Sequence, residues 1–233
     1  MTFSSIPIQI GVIFGCVWFV TRRLHERGVM SSPQRDWMAI LLVILLLWSV
    51  IIGHLSSNGM PALERLMDML PGYWLPYLPI ALTLVLAWIN RPLREGLRSL
   101  AEHTPAHWLS AIQMVRIFAL GALFKAALDQ YPLLLAWILG LPDLLFGLSA
   151  ILVTWQARQG RLSRAFLMRW HLLGALLILL PLLVFMPLFM HDDLFERWFE
   201  FPMIFVPSLL LPTLVMLNLL VVWRLWETGG SRQ

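Results

Sequence analysis

Seven stretches of this chain are apolar over about the length a helix needs to cross a lipid bilayer, and polar clusters separate them. They run roughly over 6–22, 37–54, 73–90, 108–127, 132–156, 166–190 and 201–226. Crossing ~30 Å of hydrocarbon at 1.5 Å per residue takes about 20 residues. Backbone in hydrocarbon must satisfy its own hydrogen bonds, so such stretches become helices. No room is left for a soluble domain: 59% of the 233 residues are hydrophobic and 13% charged, whereas soluble domains run near a quarter charged. The expected fold is all-α, a bundle of seven transmembrane helices forming a single transmembrane domain over 1–233.

The connecting segments set the orientation. Of the 17 basic residues, Arg65, Lys125 and Arg197 belong to one set of segments and Arg116 lies inside a span. All the others, from Arg22 to Arg232, fall in the alternate set. Acids show the opposite bias, with Glu64, Asp68, Asp129, Asp192, Asp193, Glu196 and Glu200 on the basic-poor side. Lysine and arginine collect in cytoplasmic loops, which puts the N-terminus outside and the C-terminus in the cytoplasm of a bacterial inner membrane. This distribution by side also explains a pI near 10 without nucleic acid as a partner. The first span has no charge before it and Arg22, Arg23 and Arg27 after it, the reverse of a cleavable signal peptide.

Tryptophans 37, 74, 88, 108, 155, 170, 198, 223 and 226 fall near span ends, where an amphipathic ring prefers the interface. They are expected to be anchors. Pro92–His103 and, more weakly, Ala62–Leu70 carry leucines on one face, the pattern of helices lying on the membrane surface. Pro181, Pro187, Pro202, Pro207 and Pro212 should kink the last two spans, since proline removes a helical hydrogen bond and crowds the preceding turn.

A charge at mid-bilayer costs at least ~2.5 kcal/mol, so it faces the bundle interior and finds a partner. Arg116 lies about 12 Å and Asp143 about 20 Å from the cytoplasmic ends of the fourth and fifth spans at 1.5 Å per residue. The two spans are joined by a short turn, so an Arg116–Asp143 pair is expected. Gln113 sits one turn before Arg116, and His171 and Asn218 fall at comparable depth, which makes a polar layer. Each has an ordinary role as well: a core histidine held by hydrogen bonds, an asparagine joining two helices. In the fifth span Ala136, Gly140, Gly147 and Ala150 form a narrow small-residue face beside Asp143, a face that lets a helix pack closely.

Other chemistries lack their residues. A retinal Schiff base needs a mid-helix lysine, and the one lysine, Lys125, is at a span end. His54 and His191 sit near the outer surface rather than facing one another as haem ligands do. Pro105 interrupts the His103–His107 spacing that a metal pair would use, and the acidic cluster around His191 and Asp192 reads as a solvated loop. No P-loop, dinucleotide loop, nucleophile elbow or HExxH motif occurs. No metal ligands are assigned, the cofactor is unknown, and nothing marks an enzyme.

The segments Gln113-Met-Val-Arg116 and Ala136-Trp137-Ile-Leu-Gly140-Leu-Pro142-Asp143-Leu-Leu-Phe-Gly147, with the proline-rich last span, resemble a group of bacterial multi-pass membrane proteins. That group has a Gln-x-x-Arg helix followed by an Ala-Trp…Gly-x-x-Asp-x-x-x-Gly helix. The resemblance covers the C-terminal half and implies family membership without an activity; Pro142 departs from the small residue expected there. The expected function is binding, with transport as its extension, of a small polar or amphiphilic ligand at Gln113, Arg116, Asp143, His171 and Asn218, with Arg116 as the anion or headgroup partner. The alternative is a non-catalytic accessory or scaffold subunit that packs against another membrane protein, or another copy, through the small-residue face.

Overall fold

A computed structural model describes residues 4–57, 74–185 and 195–230. The described residues are helical almost throughout. α1 spans Ile6–Glu26, α2 Ser32–Ser57, α3 Leu78–Ile89 and α4 Arg91–His103. α5 spans Ala106–Ala127, α6 Leu133–Arg158 and α7 Arg164–Val184. α8 opens with a wide π turn, Val206–Leu210, and continues as Leu211–Gly230. Six of these are long and apolar enough to cross a membrane, namely α1, α2, α5, α6, α7 and Val206–Glu227 of α8. They coincide with six of the seven apolar stretches.

The third stretch gives a shorter helix than expected. Residues 75–77 form a turn before α3, and Asn90 leaves the helix in extended geometry with ψ 102° to cap the next one. The 12 residues of α3 cover only about 18 Å at 1.5 Å per residue. The shortfall lies at its start, where the turn precedes Leu78; at its end Asn90 accepts a hydrogen bond from Leu93 N–H at 2.9 Å, the geometry of an N-cap. Pro92 then fits the first turn of α4, where a missing N–H is harmless.

The chain divides into two compact units, a subdivision the apolar pattern does not announce. The first comprises 1–104 and 201–213, the second 105–200 and 214–233. In the first unit α4 forms as expected, with Leu93 and Leu100 buried. Its apolar side is covered by the start of α2 rather than by lipid headgroups. A Cβ on Gly96 would come within 3.0 Å of Met38 Cγ and 3.2 Å of the Gln34 carbonyl, and Gln34 Nε2 donates to Glu95 Oε2 at 3.1 Å. The π turn of α8 packs on α2, where Trp48 Nε1 donates to the Ser208 carbonyl at 3.1 Å. The companion surface helix at Ala62–Leu70, the outer loop from His191 to Asp193 and Pro187 lie outside the described residues.

Two of the expected interfacial tryptophans are core residues. Trp198 is buried, and Trp170 is buried in a cluster with Leu109, Phe146, Ala150, Val153, Leu167, Val221 and Leu225. Nearness to a span end along the sequence does not fix which way a helix turns its side chain, and Trp170 points inward. Trp88, Trp108, Trp155 and Trp226 are exposed, as anchors should be.

In the second unit α6 lies against α5 along its small-residue face, and Ala136, Gly140, Gly147 and Ala150 are all buried. The approach is closest at Gly147, where a Cβ would sit 2.6 Å from Ile117 N and 2.9 Å from the Arg116 carbonyl carbon. Backbone cannot yield as a flexible side chain does. At Gly140 the nearest atoms would be Leu123 carbons at 3.8 Å, ordinary contact. Gly147→Ala is therefore expected to destabilise by about 1–3 kcal/mol, the usual cost of overpacking, whereas Gly140→Ala should be close to neutral. Thermal unfolding of the two variants in one detergent checks this; equal melting temperatures would show that α6 does not press on α5 at Gly147.

Candidate functional site

The polar layer is built on an unusual stretch of α5. Gln113–Ala119 is a seven-residue 3₁₀ segment inside an otherwise α-helical span, longer than the three or four residues common for this geometry. A 3₁₀ helix eclipses residues i and i+3, so Gln113 and Arg116 stack in one column. Ser110, three residues earlier, continues the line. Gly147 of α6 meets the backbone within this stretch.

Asp143 reaches Arg116 because of what precedes it in α6. Ala136–Gly140 is a π turn, and Leu141 N–H bonds back five residues to the Ala136 carbonyl. The next residue, Pro142, has no N–H to continue an α ladder and would crowd the carbonyl four residues back. The wide turn accommodates that break, and Asp143 follows it in the first turn of regular α-helix.

The expected ion pair is present. Arg116 Nε donates to Asp143 Oδ1 at 2.7 Å, and Nη2 pairs with the same oxygen. Nη1 donates to the Gly174 carbonyl of α7 at 3.1 Å. The guanidinium lies over the Phe146 ring, with Cζ 4.3 Å from its centroid, a cation–π contact strengthened by desolvation. Phe146 stacks in turn on Trp170, centroids 4.3 Å apart and planes 17° apart. Gly174 is required here, since a Cβ on it would collide with the Phe146 ring. Sequence reasoning missed Phe146, Trp170 and Gly174. Their only signal was spacing, with Phe146 three residues after Asp143 and Gly174 three after His171.

A second, uncharged chain of hydrogen bonds joins α5, α7 and α8. His171 Nδ1 lies 2.7 Å from Asn218 Oδ1, and Asn218 Nδ2 donates to Gln113 Oε1 at 3.1 Å. An amide oxygen only accepts, so His171 carries its proton on Nδ1. Its Nε2 then accepts from the Ser110 hydroxyl at 3.2 Å. Proton donation thus runs from Ser110 through His171 and Asn218 to Gln113, all four buried. It ends there: Gln113 Nε2, itself buried, has no hydrogen-bond acceptor among the described residues.

The structure therefore brings together all five expected site residues, as an ion pair and a neutral chain that share one column of α5. Above them Tyr131, in the turn between α5 and α6, is buried. Its phenol is raised above the usual range by that burial first and by the Asp143 charge second. Thr104 and Pro105 are extended between the helices that carry His103 and His107, so the two are not one turn apart on one helix. Among the described residues no group of three or more His, Cys, Asp or Glu is placed to hold a metal ion.

Removing one half of a buried ion pair strands the other. Arg116→Ala and Asp143→Ala are each expected to cost about 3–5 kcal/mol, and the double variant clearly less than their sum. Unfolding free energies of the three variants check the coupling; effects that simply add would mean the two residues do not stabilise each other.

No curated protein and no solved structure matches the chain. A family model does, over residues 73–226, a range that takes in the ion pair, the neutral chain and both π turns. By that match the chain belongs to the family described as "Domain of unknown function (DUF8737)".

Proposed function

We propose that this protein binds a small polar or amphiphilic ligand at the layer formed by Gln113, Arg116, Asp143, His171 and Asn218, with movement of that ligand across the membrane as an extension of binding. The observation that carries the reading is the unmatched amide of Gln113. Buried polar groups are nearly always hydrogen-bonded, and an ion pair at membrane depth marks a functional site more often than an accident of packing. A layer serving only to hold helices together would close its hydrogen bonds. This one stops at a buried donor, one 3₁₀ turn from a buried charge pair. The face that the scaffold alternative would use is occupied at Gly147 by the chain's own α5, which supports the binding reading over it.

The setting belongs to the same proposal: seven crossings of a bacterial cytoplasmic membrane, N-terminus outside. The support is the charge bias. Arg22–Arg35, Arg91–Arg98 and Arg158–Arg164 share one side only if α3 crosses despite its 12 residues. Tags on the two termini should be accessible from opposite faces of sealed vesicles; tags on the same face would rule out an odd number of crossings.

The binding reading is tested by native mass spectrometry of the protein extracted in mild detergent from its own membrane. The expected result is a bound species of defined mass that is absent from a folded variant lacking the pair, Arg116→Leu with Asp143→Leu. Stoichiometric association with other subunits and no bound small molecule would favour the accessory-subunit reading instead.

A further inference from the structure

The turn from α6 to α7 gathers positive charge that no carboxylate compensates. Arg158, Arg161 and Arg164 fall within seven residues, all exposed, and no acid occurs between Asp143 and Asp192. Among the described residues none of the three pairs with a carboxylate; Arg164 Nη2 instead donates to the Trp226 carbonyl of α8 at 3.2 Å. Glu227, the one acid described at this end of the unit, stands one turn from Arg224 on its own helix. The first unit is built otherwise. Of its seven arginines from Arg22 to Arg35 and from Arg91 to Arg98, five lie within 3.8 Å of a carboxylate: Arg22 and Arg23 at Glu26, Arg35 at Asp36, Arg91 at Glu95 and Arg98 at Glu102. A bias of arginine toward one side of a membrane does not require that difference.

The charge also sits at the end of an apolar track. Leu148, Ile151, Leu152 and Trp155 are exposed at spacings of three and four, one stripe along α6. Beyond it Gly160, with φ +67°, reverses the chain, and Arg161 N–H donates to the Gln156 carbonyl at 3.1 Å. The Arg161 guanidinium thereby comes back over the Trp155 ring, Cζ 5.7 Å from its centroid, and joins the charge to the stripe. α7 begins at Arg164, and the positive end of its dipole adds to the same field. A partner that fits both parts has an anionic head and a hydrocarbon body. We propose that the α6–α7 turn binds the phosphodiester headgroup of an anionic phospholipid through Arg158, Arg161 and Arg164, with an acyl chain lying along the stripe that ends at Trp155. This surface is separate from the Arg116–Asp143 layer and does not depend on the ligand reading given for it.

Native mass spectrometry of the full chain in detergent, titrated with phosphatidylglycerol and with phosphatidylcholine of the same acyl chains, tests this. Phosphatidylglycerol should bind about tenfold more tightly, the scale of one to two surface arginines. The triple variant Arg158→Gln, Arg161→Gln, Arg164→Gln should lose that preference. The triple variant Arg22→Gln, Arg35→Gln, Arg91→Gln, which removes as much charge from paired positions, should keep it. Excess inorganic phosphate should not displace the lipid. Equal affinity for the two lipids would overturn the proposal, and so would an equal loss of preference in the two triple variants, which would reduce the effect to net charge. Displacement by phosphate would show a site for a free anion and overturn the lipid assignment. The comparison of the two lipids on the wild-type protein stands on its own should a variant not fold.

Discussion

The second unit is built around one requirement, that the charge of the Arg116 guanidinium be compensated and hydrogen-bonded inside a helix long and apolar enough to cross a membrane. Asp143 supplies the charge, the Gly174 carbonyl an acceptor and Phe146 a π face. Each of these demands space elsewhere. Asp143 comes close enough only because α6 has no side chain at Gly147, where it meets the α5 backbone. Phe146 fits beneath the guanidinium only because α7 has none at Gly174. The two glycines are therefore part of the charge site although neither carries a polar side chain. Replacing the buried pair by apolar residues would lift these demands, and redesigned cores show that such replacement often stabilises. A charge kept under these conditions points to a use beyond stability.

The neutral chain has a different logic. Each of its bonds fixes the direction of the next, because an amide oxygen only accepts and an amide nitrogen only donates. Asn218 Oδ1 sets the His171 tautomer, that tautomer turns the Ser110 hydroxyl into a donor, and Asn218 Nδ2 occupies Gln113 Oε1. Within this chain of bonds the unmatched group is thereby the Gln113 nitrogen, at the end nearest Arg116 along α5.

Depth along the chain was legible in the sequence; direction around each helix was not. The apolar stretches located six long helices, and counting from span ends put Arg116, His171 and Asn218 at comparable depth with Asp143 about 8 Å deeper, within reach of an arginine on the neighbouring span, which sufficed to expect the pair and the layer. The rotation of each helix about its axis follows from packing, which no run length encodes. Hence Trp170 was placed at the membrane interface when it stacks on Phe146, and the leucine face of Pro92–His103 was given to lipid when α2 covers it. The small-residue face of the fifth span was expected to be a packing face, and at Gly147 it lies against backbone of α5. Its neighbour proved to be the adjacent span of the same chain, the one partner guaranteed by a short turn. α3 fell short because residues 75–77 form a turn ahead of Leu78, a break that a hydropathy run does not show.

Proline placement ties the backbone to the site. Both π turns stand immediately before a Leu-Pro pair, Leu141-Pro142 in α6 and Leu211-Pro212 in α8, and in each the leucine N–H closes the five-residue bond, to Ala136 and to Val206. A proline inside a helix forfeits a bond at its own position and crowds the carbonyl four residues back; widening the preceding turn relieves the crowding without ending the helix. The residues that follow resume α geometry from a shifted start, so Asp143 takes its direction from the π turn. The same turn is where the regular ladder of α6 is already interrupted. Bending there breaks no further α-helical bond, whereas bending at Gly147 would pull the small-residue contact away from α5.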